Sequence, residues 1–194
     1  ENIRLFICLC TCSMTFQACN SSPRKTEDSV ETVEEINDST AIVKKDDSEF
    51  LVEAASGGMM EVQLGQSAQA NGYSQRIKNF GAMMVRDHSK ANEELKALAA
   101  SKNVTLPSTL GKDHQRHVNH LKGLKGDAFD RSYINMMVED HKDDVKEFED
   151  ASEDATDPDV KAFAAKTLPV LRMHLDSARV IHKALNLAKA PRTM

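Results

Sequence analysis

Two nearly identical hexapeptides decide the fold of this chain: residues 83–88 read MMVRDH and residues 136–141 read MMVEDH. Each lies in a long segment whose apolar residues recur every three or four positions, the spacing of one face of an α-helix. In both segments the histidine, His88 or His141, falls on this apolar face. A buried polar side chain requires a partner, so the two histidines predict a shared site between facing helices.

The same apolar period extends along the chain and predicts four long helices. In chain order they are expected to begin at or next to Asp47, Ser74, Asp127 and Asp157. A shorter helical stretch over residues 110–124 separates the second helix from the third. No segment alternates with the period of two that is typical of a strand. The pattern predicts an all-α, up-and-down four-helix bundle over residues 47–188, with a short extra helix between helices two and three.

The N-terminal segment has the pattern of a secretory signal. Arg4 precedes an apolar run over residues 5–18, which is shorter than the roughly 20 residues that span a bilayer. The run ends at Ala18-Cys19 and resembles a bacterial lipoprotein signal, in which the cysteine is lipidated. We expect residues 1–19 to be a lipoprotein-type signal peptide and Cys19 to carry a lipid anchor to the membrane, in the periplasm or at the outer membrane. Ordinary cleavage near Ala18 is the alternative.

Composition limits the other interpretations. Residues 20–46 are acidic, rich in Ser and Thr and poor in large apolar side chains, so they are predicted to be a disordered tether. A short helix over residues 30–36 is the alternative, although it would have little to pack against. The net charge of −5 argues against a nucleic-acid binder, which would show a basic face. All four cysteines lie within the first 19 residues, which argues against a disulfide framework in the bundle.

Each predicted long helix carries one ligand-capable side chain near the middle of its apolar face. These residues are Glu61, His88, His141 and His174. In an antiparallel bundle they can converge at one level, where three imidazoles and one carboxylate suit zinc, copper, iron or nickel. The alternative is a metal-free Glu–His hydrogen-bond network, in which each buried polar group finds a partner.

The hexapeptides and the connecting helix supply further candidates. Met84 and Met137 lie one turn before the histidines on the same helix faces, where thioethers would favour Cu(I) or would simply pack. Asp87 and Asp140 point about 100° away from the histidines around the helix, which suits either partners that orient an imidazole or a solvated flank. An HxxHxxH pattern is predicted to be exposed on the connecting helix: His114, His117 and His120.

Short motifs across the predicted domain resemble one known family. The motifs are FLVEAA at residues 50–55, GMMEV at 58–62, LAA at 98–100 with VTLP at 104–107, AFDRSY at 128–133, and KTLP at 166–169 with His174. Over residues 48–187 the chain resembles the domain of unknown function 4142 family, described as ferritin-like bacterial proteins that are exported or associated with the outer membrane and have no established activity. The resemblance implies a ferritin-like bundle with a metal centre.

One departure from ferritin-like di-iron proteins bears on activity. Those proteins carry Glu-x-x-His on two helices, whereas Val85, Val138 and Leu171 stand three residues before the histidines here. We assign no reaction and leave enzymatic activity open. The leading function is binding of a transition metal (copper, zinc or iron) for storage, buffering or envelope stress protection. The alternative is a metal-free envelope protein with a structural or interaction role.

Overall fold

The computed structural model describes residues 28–187, which form six α-helices and no strand. The helices are α1 (Ser29–Thr40), α2 (Lys45–Asn71), α3 (Gln75–Ser101), α4 (Lys112–Leu121), α5 (Gly126–Asp154) and α6 (Pro158–Leu187). The all-α four-helix bundle is confirmed: α2, α3, α5 and α6 are its long helices, and α4 is the short extra helix. Within residues 28–187, no helix has the length and apolar character needed to cross a bilayer. The predicted signal peptide, with Cys19, lies outside the described residues.

Side-chain caps fix the starts of two bundle helices, as the sequence predicts. Ser74 Oγ accepts a hydrogen bond from Arg76 N at 3.2 Å at the start of α3. Asp157 Oδ1 accepts from Asp159 N at 2.9 Å and from Val160 N at 3.2 Å at the start of α6. These bonds satisfy backbone donors that a helix terminus leaves unpaired, so local sequence is enough to set both boundaries.

Two buried aspartates tie each helical hairpin to the turn of the other. Asp130 in the first turns of α5 accepts hydrogen bonds from Tyr73 N at 2.8 Å and Ser74 N at 2.7 Å, in the α2–α3 turn. Asp47 at the start of α2 accepts three bonds of 2.7–3.0 Å from residues 156–157, in the α5–α6 turn. Because each carboxylate joins the two hairpins, the relative height of the four helices is held at both ends.

The backbones of α2 and α3 touch at Gly65 and Gly81. A Cβ on Gly65 would lie 2.7 Å from Gly81 O, and a Cβ on Gly81 would lie 2.6 Å from Gly65 O. Side chains cannot be accommodated at such distances, so both positions require glycine. This contact holds α2 against α3 about one turn from Glu61.

The core consists of two hydrophobic clusters separated by a polar layer. The Phe148 cluster includes Phe50, Leu51, Leu95, Phe148, Phe163 and Leu171. The Tyr133 cluster includes Met60, Leu64, Phe80, Met84, Tyr133, Met137 and Leu175. On α3, α5 and α6 a buried histidine falls between the two clusters; on α6, for example, His174 lies between Leu171 and Leu175. On α2 the buried Glu61 lies at the edge of the Tyr133 cluster, next to Met60. The fold thus gathers these polar side chains at one level.

Residues 29–40 differ from the expected tether. They form α1, and its Val30 and Val33 are buried in the Phe148 cluster. The Asn37 side chain donates to Thr105 O at 2.9 Å and accepts from Thr105 N at 2.7 Å. The prediction of a disordered segment up to residue 46 is therefore wrong for this stretch. Two valines three positions apart find an apolar surface that composition alone does not reveal.

Candidate metal centre

Three histidines from three helices meet in the polar layer. His88 on α3, His141 on α5 and His174 on α6 are 7%, 0% and 0% exposed. Their ring centroids lie 5.3–5.7 Å apart. One ring nitrogen of each lies within 4.8 Å of the corresponding nitrogens of the other two. We call these three residues the histidine cluster.

Four of the six ring nitrogens of the histidine cluster lack hydrogen-bond partners among residues 28–187. His88 Nε2, both ring nitrogens of His141, and His174 Nδ1 are buried and unpaired. Each buried unpaired polar atom costs roughly 1–3 kcal/mol, so a native core rarely keeps several of them together. The Glu–His hydrogen-bond network, the alternative to a metal site, is therefore not closed by the described residues. A cation at these nitrogens would give their lone pairs a partner.

Asp87 orients the ring of His174. Asp87 Oδ2 lies 3.0 Å from His174 Nε2, so the carboxylate accepts the Nε2 proton and leaves the Nδ1 lone pair free. Arg86 forms a two-point ion pair with Asp87, with N–O distances of 2.8 and 3.0 Å. Burial raises the pKa of Asp87, but the bonds from Arg86 and His174 outweigh it and lower that pKa overall. Asp87 is thus an ionised partner of an imidazole rather than a solvated flank.

Burial keeps the three imidazoles neutral. Burial, with the two neighbouring imidazoles, lowers the pKa of His88 well below its ordinary value. Burial lowers the pKa of His141 to about 4. It also lowers the pKa of His174, although Asp87 opposes the shift. Neutral imidazole is the form that binds a metal, so at neutral pH the cluster offers three nitrogen lone pairs.

The sequence predicts that Glu61 joins the three histidines, but in the structure it lies in a different cluster. A carboxylate oxygen of Glu61 lies with oxygens of Asp140 and Asp144 and with a ring nitrogen of His141, all within 4.8 Å of one another. Glu61 Oε1 is 3.7 Å from His141 Nδ1, which is too long for a hydrogen bond. The reason is topological: α2 packs chiefly against α3 and otherwise contacts α5 rather than α6, so Glu61 meets α5. We call Glu61, Asp140 and Asp144 the carboxylate cluster.

Burial acts unequally on the carboxylate cluster. Burial, with the charge of Asp140, raises the pKa of Glu61 well above its ordinary value. Burial and Asp140 likewise raise the pKa of Asp144. Burial also acts to raise the pKa of Asp140, but its interactions with Glu61 and His117 lower that pKa to about 2. In the metal-free protein one ionised carboxylate therefore lies between two groups that favour the protonated form.

Asp144 is a site residue that the sequence analysis missed. It stands four residues after Asp140, one helical turn along α5, so the two carboxylates share a face. The four-residue spacing from Asp140, together with the neighbouring His141, is the sequence pattern that indicates Asp144. Met84 and Met137 are fully buried in the Tyr133 cluster. Of the two roles left open for these methionines, packing is the one that the structure displays.

Two histidines of the HxxHxxH pattern are not simply exposed, contrary to the sequence expectation. His114 Nδ1 lies 2.7 Å from Ser56 Oγ, within hydrogen-bond distance. His117 Nδ1 lies 3.6 Å from Asp140 Oδ1, and this interaction raises the pKa of His117. Both contacts arise because α4 packs against α2 and α5, which the periodicity of a single helix does not reveal. His120 is exposed, as predicted.

A partly open cavity of about 240 Å³ reaches both clusters. Its lining includes Glu53, Gly57, His88, His114, Asp144 and Glu147. Burial and the charge of Glu53 raise the pKa of Glu147 to about 7. Because His88 belongs to the histidine cluster and Asp144 to the carboxylate cluster, the cavity is a route by which small cations could reach either one.

Comparisons with known proteins place the chain in a family. The family model described as "Domain of unknown function (DUF4142)" matches residues 33–181, and the chain belongs to this family, which confirms the resemblance seen in its motifs. No curated protein sequence matches the chain.

Two solved structures are similar at 13% identity. CopM in the Cu(II)-bound form has a TM-score of 0.60, with 71% of this chain and 96% of that chain covered. A DUF305 fragment from Deinococcus radiodurans has a TM-score of 0.63, with 75% and 98% covered. These likenesses show a shared helical-bundle fold.

Proposed function

We propose that this member of the domain of unknown function 4142 family binds one transition-metal ion through His88, His141 and His174. The observation that carries the proposal is the set of buried, unpaired ring nitrogens in the histidine cluster. Tetrahedral bonds near 2.0–2.1 Å to nitrogen need ligand atoms roughly 3.4 Å apart. The three ring nitrogens lie within 4.8 Å of one another, so small movements of the side chains would bring them to this spacing.

The donor set favours copper or zinc, and copper is our first candidate. Three neutral imidazoles suit both ions, and a nitrogen site of given geometry binds Cu(II) more tightly than the other divalent first-row metals. The similar fold of CopM, a protein solved in a Cu(II)-bound form, supports this order. Asp87 would hold His174 with Nδ1 turned toward the ion, which is the usual outer partner of a metal-binding histidine.

Storage or buffering is the role that fits such a site best. The ion would be held by side chains almost wholly removed from solvent, and we assign the site no reaction. In line with the N-terminal signal, we propose that the protein is exported and anchored through a lipid on Cys19, in the periplasm or at the outer membrane. Membrane fractionation of wild type and Cys19→Ala tests the anchor: the variant should leave the membrane fraction, and unchanged membrane association would contradict it.

Metal content tests the central proposal. The chain is purified without metal, loaded separately with Cu, Zn and Fe, desalted and analysed for bound metal. Wild type should retain about one copper per chain, and the double variant His88→Ala/His174→Ala should retain little. His120→Ala is the matched control, because this exposed histidine lies outside the cluster, and it should behave as wild type. If wild type retains none of the three metals, the proposal fails.

A further inference from the structure

The carboxylate cluster contains a buried side chain without a partner. Glu61 is 1% exposed, and neither of its oxygens has a hydrogen-bond partner among the described residues. One of these oxygens nevertheless lies within 4.8 Å of oxygens of both Asp140 and Asp144. Three carboxylates drawn together in a bundle core repel one another whenever they are ionised. A cation bound between them would offset this repulsion.

No fixed cation in the described residues supplies that charge. Among residues 28–187, no Lys or Arg forms an ion pair with Glu61, Asp140 or Asp144. The basic side chains that face the cluster are imidazoles. His117 Nδ1 is 3.6 Å from Asp140, and His141 Nδ1 is 3.7 Å from Glu61. Both separations exceed hydrogen-bond length.

We propose that Glu61, Asp140 and Asp144 form a second cation site, distinct from the histidine cluster and adjacent to it. The ligand is a divalent cation that prefers oxygen donors, the class to which Mn²⁺ belongs. Copper is expected to prefer the three imidazoles, so the two sites differ in the ion they select. This inference goes beyond the proposed function, because the carboxylates can bind a cation whether or not the histidine cluster is occupied.

His141 limits how the two sites combine. A neutral imidazole has one nitrogen lone pair and one N–H. When His141 Nε2 binds an ion in the histidine cluster, Nδ1 keeps its proton and faces Glu61 as a donor. The second cation is then held by the three carboxylates, with water completing its coordination. Asp144 lines the cavity of about 240 Å³, so this water has a route from solvent.

Paired titrations with Mn(II) and Cu(II) test the inference on the full chain. Free Mn(II) is followed by its electron paramagnetic resonance signal, with wild type compared with Glu61→Gln/Asp144→Asn. The double variant should bind Mn(II) about tenfold more weakly or worse, since it loses two ligands. Its Cu(II) affinity should stay close to wild type. His88→Ala should show the opposite pattern, weak Cu(II) binding with Mn(II) binding retained.

The matched control removes exposed acidic groups from α5, the helix that carries Asp140 and Asp144. Glu139→Gln/Asp143→Asn makes the same change of charge and should bind Mn(II) as wild type does. The inference is overturned if wild type binds no Mn(II) at millimolar concentration, if the control loses binding equally, or if excess Mn(II) displaces Cu(II) stoichiometrically. If circular dichroism shows that the double variant is unfolded, Glu61→Gln alone decides. If wild type binds Mn(II) but no Cu(II), copper binding by the histidine cluster is refuted and the carboxylate site stands.

Discussion

The histidine cluster and the carboxylate cluster lie side by side in the bundle and meet where His141 faces Glu61, yet burial drives their protons in opposite directions. Burial lowers the pKa of each histidine in its cluster, so the imidazoles lose protons and become neutral. Burial raises the pKa of Glu61 and Asp144, so these carboxyls keep protons and become neutral. The buried interior therefore holds two kinds of site, one whose lone pairs are free at neutral pH and one whose oxygens compete with protons.

The largest expected effect is the acid sensitivity contributed by His141. Its pKa is about 4 in the folded protein, against an ordinary value of 6.5. Between these values the unfolded chain binds more protons, so the free energy of unfolding falls as pH falls from 6.5 to 4, by about 3 kcal/mol. His88 and His174 shift in the same direction. Urea unfolding of metal-free protein across this range measures the loss.

A matched variant isolates the histidine contribution. Since His141→Gln cannot titrate there, the difference in unfolding free energy between it and wild type should change by about 3 kcal/mol from pH 6.5 to 4. The exposed His120→Ala should leave the pH dependence of wild type unchanged. A constant difference between wild type and His141→Gln would show that burial does not depress this pKa.

The next effect separates the clusters by their outer partners. Asp87 contacts His174 and belongs to neither set of proposed ligands. Asp87→Ala should weaken Cu(II) binding by roughly 10- to 100-fold, because His174 loses the group that fixes its ring and tautomer. Mn(II) binding should be unchanged. Competition titrations with a chelator of known affinity measure both values, and an equal loss for the two ions would contradict the division into two sites.

Removing a charge from the carboxylate cluster should stabilise the metal-free protein, whereas protonation of His141 destabilises it. At pH 7.5 the unfolded chain ionises Glu61, whereas the raised pKa in the folded protein opposes ionisation. This raised pKa contributes stability below about pH 4.5 that is lost as pH rises. Glu61→Gln removes the penalty and keeps the shape, so metal-free protein should gain about 1 kcal/mol at pH 7.5 and little at pH 4. The exposed Asp143→Asn should gain nothing at either pH, and destabilisation of Glu61→Gln at pH 7.5 would count against the account.

The sequence predicts the histidine cluster better than the carboxylate cluster, and the reason is geometric. His88, His141 and His174 each interrupt an apolar stripe, so the period of 3.6 is enough to find them. Asp140 and Asp144 lie at the edge of the apolar stripe of α5. A helical wheel of α5 alone would place both side chains in solvent. They are covered because α2 and α4 pack over that edge, and the contacts between helices carry this information.

The same limit explains the errors in the fold. Ser74 and Asp157 were identifiable as helix starts because an N-cap acts within three residues of sequence. The packing of helix α1 was not identifiable, because Val30 and Val33 are stabilised by residues of the Phe148 cluster that lie far away in the chain. His114 likewise depends on Ser56, on another helix. Features set by local backbone chemistry are readable one segment at a time, and features set by packing are not.

The smallest effect on affinity is expected at Gly57. A substitution there should instead change the rates of metal binding at both clusters. A Cβ there would lie 3.6–3.8 Å from the His114 ring, an ordinary contact, whereas a Cβ on Gly58 would lie 2.0 Å from Asn92 Oδ1. Gly57→Leu should therefore fold, aided by the higher helix propensity of leucine. Its side chain would narrow the cavity that reaches His88 and Asp144.

A barrier on a shared route changes rates without changing the bound states. Gly57→Leu should slow the uptake and release of both Cu(II) and Mn(II) by similar factors, with each dissociation constant unchanged, as stopped-flow mixing can determine. Slower exchange of one ion alone would mean that the two clusters are reached by separate paths. Unchanged rates for both ions would mean that the cavity is not the route. Either result would leave the two sites in place while separating their access, which affinity measurements alone cannot do.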